Sequence, residues 1–136
     1  MTAYVLDSSA LIRYIDDEAG ADRVRSILRA CVSGQADVRI SAVQWGEIAG
    51  NLRNRLGMPD ESRILSGLLP TEAEIVPASA ARAVHAADLR VNHKISFADA
   101  FAVDLAMDSP DHVLVTADFG FKAVAGLAQI EFLPAK

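Results

Sequence analysis

Thr2-Ala3-Tyr4-Val5-Leu6-Asp7-Ser8-Ser9-Ala10-Leu11-Ile12-Arg13-Tyr14-Ile15 opens this chain of 136 residues, and its reading decides the fold. A short apolar run, Ala3 to Leu6, ends on a carboxylate at Asp7. Ser8 and Ser9 then open a second apolar pattern at Leu11, Ile12 and Ile15. That order predicts a buried strand, a tight turn and a helix start. In an open parallel α/β sheet, ligands sit in the crevice beyond the carboxyl ends of the strands, so Asp7 stands at the mouth of such a crevice.

The same grammar returns near the other end. His112-Val113-Leu114-Val115-Thr116 is the clearest strand in the chain and runs into Ala117-Asp118-Phe119-Gly120-Phe121. A buried strand again meets a hydroxyl and then a carboxylate. Between these two blocks, strands are predicted at 38–41 and 73–76, with a last one at 129–132. Helices are predicted at 21–32, 42–56, from Pro59 to Pro70, and from the Ser79 cap to Lys94. In the last of these the apolar line is Ala80, Val84, Ala87 and Val91, a small face suited to close helix packing. His85 and His93 have no ligand-spaced partner and are read as surface or packing residues. Strands alternating with helices predict an α/β fold of three layers, α/β/α, around a mainly parallel central sheet, with residues 1–136 as one domain.

Two helices carry further acids. In the segment 42–56, Trp45, Ile48, Ala49, Leu52 and Leu56 form one apolar stripe, and Glu47 lies on nearly the opposite side with Val43, Gly50 and Asn54. Gly46 and Gly50 inside a helix cost about 1 kcal/mol each against alanine, which suggests a close approach to the backbone there. A solvent-facing glutamate is the plain alternative for Glu47. Residues 96–107 are apolar on almost every face, so that helix is expected to be central and buried. Asp99 stands three residues after Ser96, where a carboxylate also serves a capping box and the positive end of the helix dipole. Asp104 is about 140° further round and is expected to pair with an arginine or lie at a helix edge with Asp108.

Composition limits what this arrangement does. An apolar fraction of 51% and a charged fraction of 23% are ordinary for a soluble globular protein. The single cysteine, Cys31, lies in a helical apolar pattern and reads as a core thiol. Neither a signal-like leader nor a membrane-length apolar run is present, so the expected compartment is the cytoplasm, with no membrane partner. A formal net charge of −5 argues against coating nucleic acid by bulk electrostatics, but not against a nucleic-acid enzyme whose acids hold a cation.

Asp7 and Asp118 each follow an apolar strand, Asp99 begins a buried helix and Glu47 rides the polar side of another. Topology brings at least three of them to one sheet edge. Carboxylates that close raise one another's pKa unless a cation intervenes, and no Cys or His is spaced for zinc; the oxygen-only donor set points to Mg²⁺ or Mn²⁺. No phosphate-binding glycine loop, catalytic Ser-His-Asp arrangement or metal-binding His pair is present.

Together, Val5-Leu6-Asp7-Ser8-Ser9-Ala10-Leu11-Ile12, Glu47, Ser96-Phe97-Ala98-Asp99-Ala100 and Leu114-Val115-Thr116-Ala117-Asp118-Phe119-Gly120-Phe121 resemble, in order and spacing, the PIN-domain ribonucleases of the VapC toxin type. The resemblance covers essentially the whole chain. It implies that Asp7 and Asp99 are the principal metal ligands and that Asp118 completes the acidic cluster, directly or through water. It further implies that Glu47 acts on metal through water or helps activate the nucleophile, and that Ser9 and Thr116 support the site by hydrogen bonds. A metal-dependent endoribonuclease toxin, a homodimer and an antitoxin whose C-terminal segment occupies the groove are implied as well. Asp104 departs from the family's usual small residue, and Ala117 and Gly120 replace polar residues near the last acid. Arg13, Arg53, Arg55 and Lys94 are candidate phosphate contacts or simply solvated charges. Two other classes fit the bare pattern of acids: a phosphoacceptor signalling module of the receiver kind and a non-catalytic PIN-like interaction domain.

Overall fold

The structure, a computed structural model, describes residues 1–136. The strands are β1 (Ala3–Leu6), β2 (Asp37–Ser41), β3 (Glu74–Val76), β4 (His112–Thr116) and β5 (Gln129–Phe132). The helices are α1 (Ser8–Ile15), α2 (Ala21–Val32), α3 (Ala42–Leu56), α4 (Asp60–Leu68), α5 (Ala80–His93) and α6 (Phe97–Ala106), with a 3-10 helix at Phe119–Val124. All five strands form one parallel sheet in the order β3-β2-β1-β4-β5. The chain steps outward from β1 to β2 and β3, then crosses back to place β4 on the other side of β1. The crevice of such a sheet opens at that reversal, between the ends of β1 and β4. A receiver-type sheet has the order 2-1-3-4-5, so the phosphoacceptor reading is overturned by the topology.

Alternation along the strands feeds two cores. Leu6, Val38, Ile40 and Val115 pack under α1 to α4 with Leu11, Val24, Ile27, Ile48 and Leu52. Val5, Val76 and Leu114 face the other way, under α5 and α6, with Leu89, Phe101 and Val103. Period-two strands buried on both faces by helices give the three layers expected from the sequence. Every residue from Ala100 to Ala106 is buried, as the all-round apolar pattern of α6 requires. Cys31 is a core residue, and burial pushes its thiol pKa up. No helix is long and apolar enough to cross a membrane.

Two expectations fail. The line Ala80, Val84, Ala87 and Val91 does not face the protein: Val84 is 72% and Val91 78% exposed, whereas Ala86 and Leu89 are buried. Helix α5 is turned by about half a revolution because its polar side carries the stronger contacts. Arg82 reaches Asp104 at 3.0 Å and Asp108 at 3.0 and 2.7 Å, and His85 Nδ1 lies 2.7 Å from Asp104 Oδ1. Alanine and valine offer little area against such a network. The glycines of α3 are the second failure. A Cβ at Gly46 or Gly50 would meet nothing within 4 Å, so no element of this chain approaches there.

Asp104 is 5% exposed and is ion-paired with Arg82 and hydrogen-bonded to His85. Removing one partner of a buried pair strands the other, at a cost of about 3 kcal/mol. Arg82→Met is therefore expected to lower the urea midpoint by that amount with an unchanged slope, since the surface exposed on unfolding stays the same. An effect below about 1 kcal/mol would show that Asp104 does not need the guanidinium.

Candidate active site

Asp7 leaves β1 in extended backbone (φ −89°, ψ 175°) and caps α1, its Oδ1 accepting from the Ala10 amide at 2.9 Å. Ser9 Oγ stands 2.8 and 2.9 Å from the two carboxylate oxygens, and Thr116 Oγ1, at the end of β4, donates to Oδ2 at 2.7 Å. Ser9 Oγ also accepts from the Ala117 amide, and Thr116 Oγ1 from the Asp118 amide, each at 2.9 Å. Two hydroxyls thus stitch the carboxylate after β1 to the turn after β4. They hold the Asp7 carboxylate in one orientation. Asp7 is 2% exposed, and its pKa is pushed up to about 6: burial dominates, the Thr116, Ala10 and Ser9 hydrogen bonds oppose it, and the charge of Asp99 adds to it.

The other three acids reach the same edge from separate elements. Asp118 caps the 3-10 helix, Oδ1 accepting from the Gly120 amide at 2.8 Å. A Cβ at Gly120 would lie 3.0 Å from that oxygen, so glycine leaves the carboxylate room to fold back. Asp99 enters α6 behind the Ser96 cap, its amide donating to Ser96 Oγ at 3.1 Å. Burial raises the Asp99 pKa, hydrogen bonds from Ser96 and Gln44 pull it down, and Asp118 raises it further. Glu47, on α3, accepts from Ser8 Oγ at 3.1 Å. Its pKa is raised by partial burial and by Asp99, against the Ser8 bond. Asp99 thus raises the pKa of Asp7 and of Glu47 and is raised by Asp118, and hydrogen bonds through Ser8, Gln44 and Thr116 link the elements that carry the four acids.

None of the four has an ion-pair partner, although arginines elsewhere hold Asp16, Asp60, Glu61, Asp104, Asp108 and Glu131. The uncompensated charge and the oxygen-only donors fit a hard divalent cation. No three acidic, His or Cys side chains stand close enough together to form a ready metal cage. Mg²⁺ asks for less than a cage: it keeps several waters and is held through one or two carboxylates, so an open edge of spaced acids suits it.

Sequence reading overlooked Gln44. It is fully buried, and its amide accepts from the Ser8 amide and donates to the Ala98 carbonyl, both at 2.7 Å. A polar residue beside the Trp45 to Leu56 stripe, one turn before Glu47, was the available signal. Three candidate phosphate contacts are committed elsewhere: Arg13 to the Ala19 and Pro134 carbonyls, Arg53 to Glu61 and Arg55 to Asp16. Lys122, four residues after Asp118, makes no ion pair and lies 5.2 Å from the Phe119 ring centre.

The fold recurs in solved proteins. VapBC2 of Rickettsia felis bound to a promoter DNA fragment matches with a TM-score of 0.74 at 17% identity, over 98% of this chain and 100% of that one. DNA-bound VapBC of Salmonella typhimurium gives 0.72 at 16% identity, over 97% and 98%. VapC20 of Mycobacterium tuberculosis, described as a toxin that cleaves the sarcin-ricin loop, gives 0.70 at 18% identity, over 96% and 99%. No curated protein sequence matches the chain. The family model of the PIN domain matches residues 4–127, a span that contains all four acids and both hydroxyls, and the chain belongs to the PIN domain family.

Proposed function

We propose that this protein is a Mg²⁺- or Mn²⁺-dependent endoribonuclease, the toxin of a toxin-antitoxin pair, acting on a structured RNA. What supports the reading is that Asp7, Glu47, Asp99 and Asp118 are linked through Ser8, Gln44 and Thr116 at one edge of the fold, and that none of the four has an ion-pair partner. Asp7, Asp99 and Asp118 would hold the ion, which would offset charge on a phosphodiester and make water a better nucleophile. Asp7 is fixed in place by Ser9, Thr116 and the Ala10 amide. Glu47 is exposed and holds a proton more readily than an ordinary glutamate, which suits it to take one from water. Lys122, which makes no ion pair and lies over the Phe119 ring, would offer a cation to a phosphate of the RNA. With a net charge of −5, affinity for RNA rests on these local contacts and on the ion.

A cognate antitoxin and a homodimer belong to the same reading. Solved proteins of this fold include ones described as a toxin-antitoxin complex from Klebsiella pneumoniae and a VapBC family member from Mycobacterium tuberculosis. The direct test is cleavage of a structured RNA by the purified protein in Mg²⁺, in Mn²⁺ and in EDTA. Cleavage is expected with either ion and to fall at least 100-fold on chelation. Equal rates in EDTA would remove the metal from the mechanism.

A further inference from the structure

Glu47 and Asp99 sit on two helices and Asp7 caps a third, and something must hold those helices at a fixed spacing against the repulsion of their charges. We infer that Gln44 is that positioning residue, the inference resting on the nuclease reading above. Its side chain is fully buried. Its Oε1 accepts from the Ser8 amide, the first in α1 and the residue next to Asp7. Its Nε2 donates to the Ala98 carbonyl, next to Asp99 in the first turn of α6. The Gln44 amide also helps to offset the rise that burial gives the Asp99 pKa. Gln44 itself precedes Glu47 by three residues on α3. One planar group therefore ties together the helix starts that carry Asp7 and Asp99 and the turn that carries Glu47.

The orientation of that amide is fixed by its partners. Turning it over would set an NH₂ against the Ser8 N–H and a carbonyl against the Ala98 carbonyl, losing both bonds. Only a side chain with an acceptor and a donor, of this length, satisfies both neighbours. Leucine or methionine fills the space but leaves the part-buried Ser8 amide without its acceptor and removes the donor that ties α3 to the Ala98 carbonyl, so both helix starts are then free to drift. Gln44 touches neither substrate nor ion, so its contribution is to the spacing of groups that do. Supporting residues of this kind typically change metal affinity by about 10- to 100-fold.

The test uses Gln44→Met, which keeps the volume, and Gln44→Asn, which keeps the chemistry but is too short to span both partners. As a control for simple destabilisation, Leu89→Ala opens the opposite core under α5. Mn²⁺ binding by titration calorimetry is expected to weaken by at least about 10-fold in both Gln44 variants and to stay within about twofold of wild type in Leu89→Ala. In cleavage assays, kcat falls at saturating Mn²⁺ while KM for RNA changes little. Exchange of the Ser8 amide hydrogen speeds up in both variants, which reads the clamp without any metal. Wild-type Mn²⁺ affinity in a folded Gln44→Met protein, or losses matched by Leu89→Ala, would overturn the inference and leave the nuclease reading standing. Failure of the wild-type protein to bind Mn²⁺ at all would overturn the nuclease reading and this one with it.

Discussion

Asp99→Asn is expected to reduce RNA cleavage by about 10³-fold or more while leaving the protein folded and, without metal, no less stable than wild type. The activity loss follows from taking one ligand from an ion that contributes several kcal/mol of charge stabilisation, at about 1.4 kcal/mol per factor of ten. The stability result follows from the repulsion at the site. Asp99 raises the pKa of both Asp7 and Glu47 and is itself raised by Asp118, so a neutral amide there relieves three unfavourable interactions. Asparagine keeps the Ser96 cap, because that bond comes from the main-chain amide of residue 99. Single-turnover cleavage and thermal unfolding in EDTA check the two halves. Activity within tenfold of wild type would remove Asp99 from the ligand set.

Asp104 lies five residues further along the same helix. It is more deeply buried than Asp99, yet Arg82 compensates its charge and His85 hydrogen-bonds it, so its loss is a matter of stability rather than chemistry. The difference between two aspartates of α6 is one of partners: one has been given a cation, Arg82, by the fold and the other has not. That distinction separates a structural acid from one waiting for an ion, and residue type alone does not make it.

How much of this was legible in the sequence depends on the range of the contacts concerned. Elements with strong local signals came through: Ser41 and Ser79 cap α3 and α5 as read, α3 runs from Ala42 to Leu56 as read, and α6 is central because it is apolar all round. The placing of Asp7 and Asp118 at neighbouring strand ends was legible because parallel topology alone sends strand ends to one edge. Helix rotation was not. The face α5 turns inward is chosen by Arg82 and His85 meeting Asp104 and Asp108, partners 19 to 26 residues away that no periodicity reveals. Gln44 escaped for a related reason: its partners, Ser8 and Ala98, lie 36 and 54 residues off. Gly46 and Gly50 misled in the other direction, since a glycine in a helix marks an approach only when something arrives.

Asp7→Asn is expected to flatten the pH dependence of stability and to abolish stabilisation by Mn²⁺. In the fold the Asp7 carboxyl holds its proton up to about pH 6, against 3.8 for the ordinary group. As pH rises through 3.8 the unfolded chain releases this proton first, so the folded state loses ground until about pH 6 and no further beyond it. Two pKa units at about 1.4 kcal/mol each make that loss about 3 kcal/mol for a group this buried. Glu47 and Asp99, also raised, add to the same slope, while Asp108, held low by Arg82 and Arg39, works against it by losing stability as pH falls. The difference between wild type and Asp7→Asn isolates the one residue. Above pH 6 the folded wild type carries an ionised carboxylate sealed among Ser9, Thr116 and the Ala10 amide, and a divalent ion bound only by the folded state restores stability, by about 2.7 kcal/mol at one hundred times its Kd. The variant lacks that charge and gains little. Urea unfolding between pH 4 and pH 7, in EDTA and in Mn²⁺, measures both effects. A wild-type profile no steeper than that of Asp7→Asn, or equal gains from Mn²⁺ in the two proteins, would place the ion somewhere other than at Asp7.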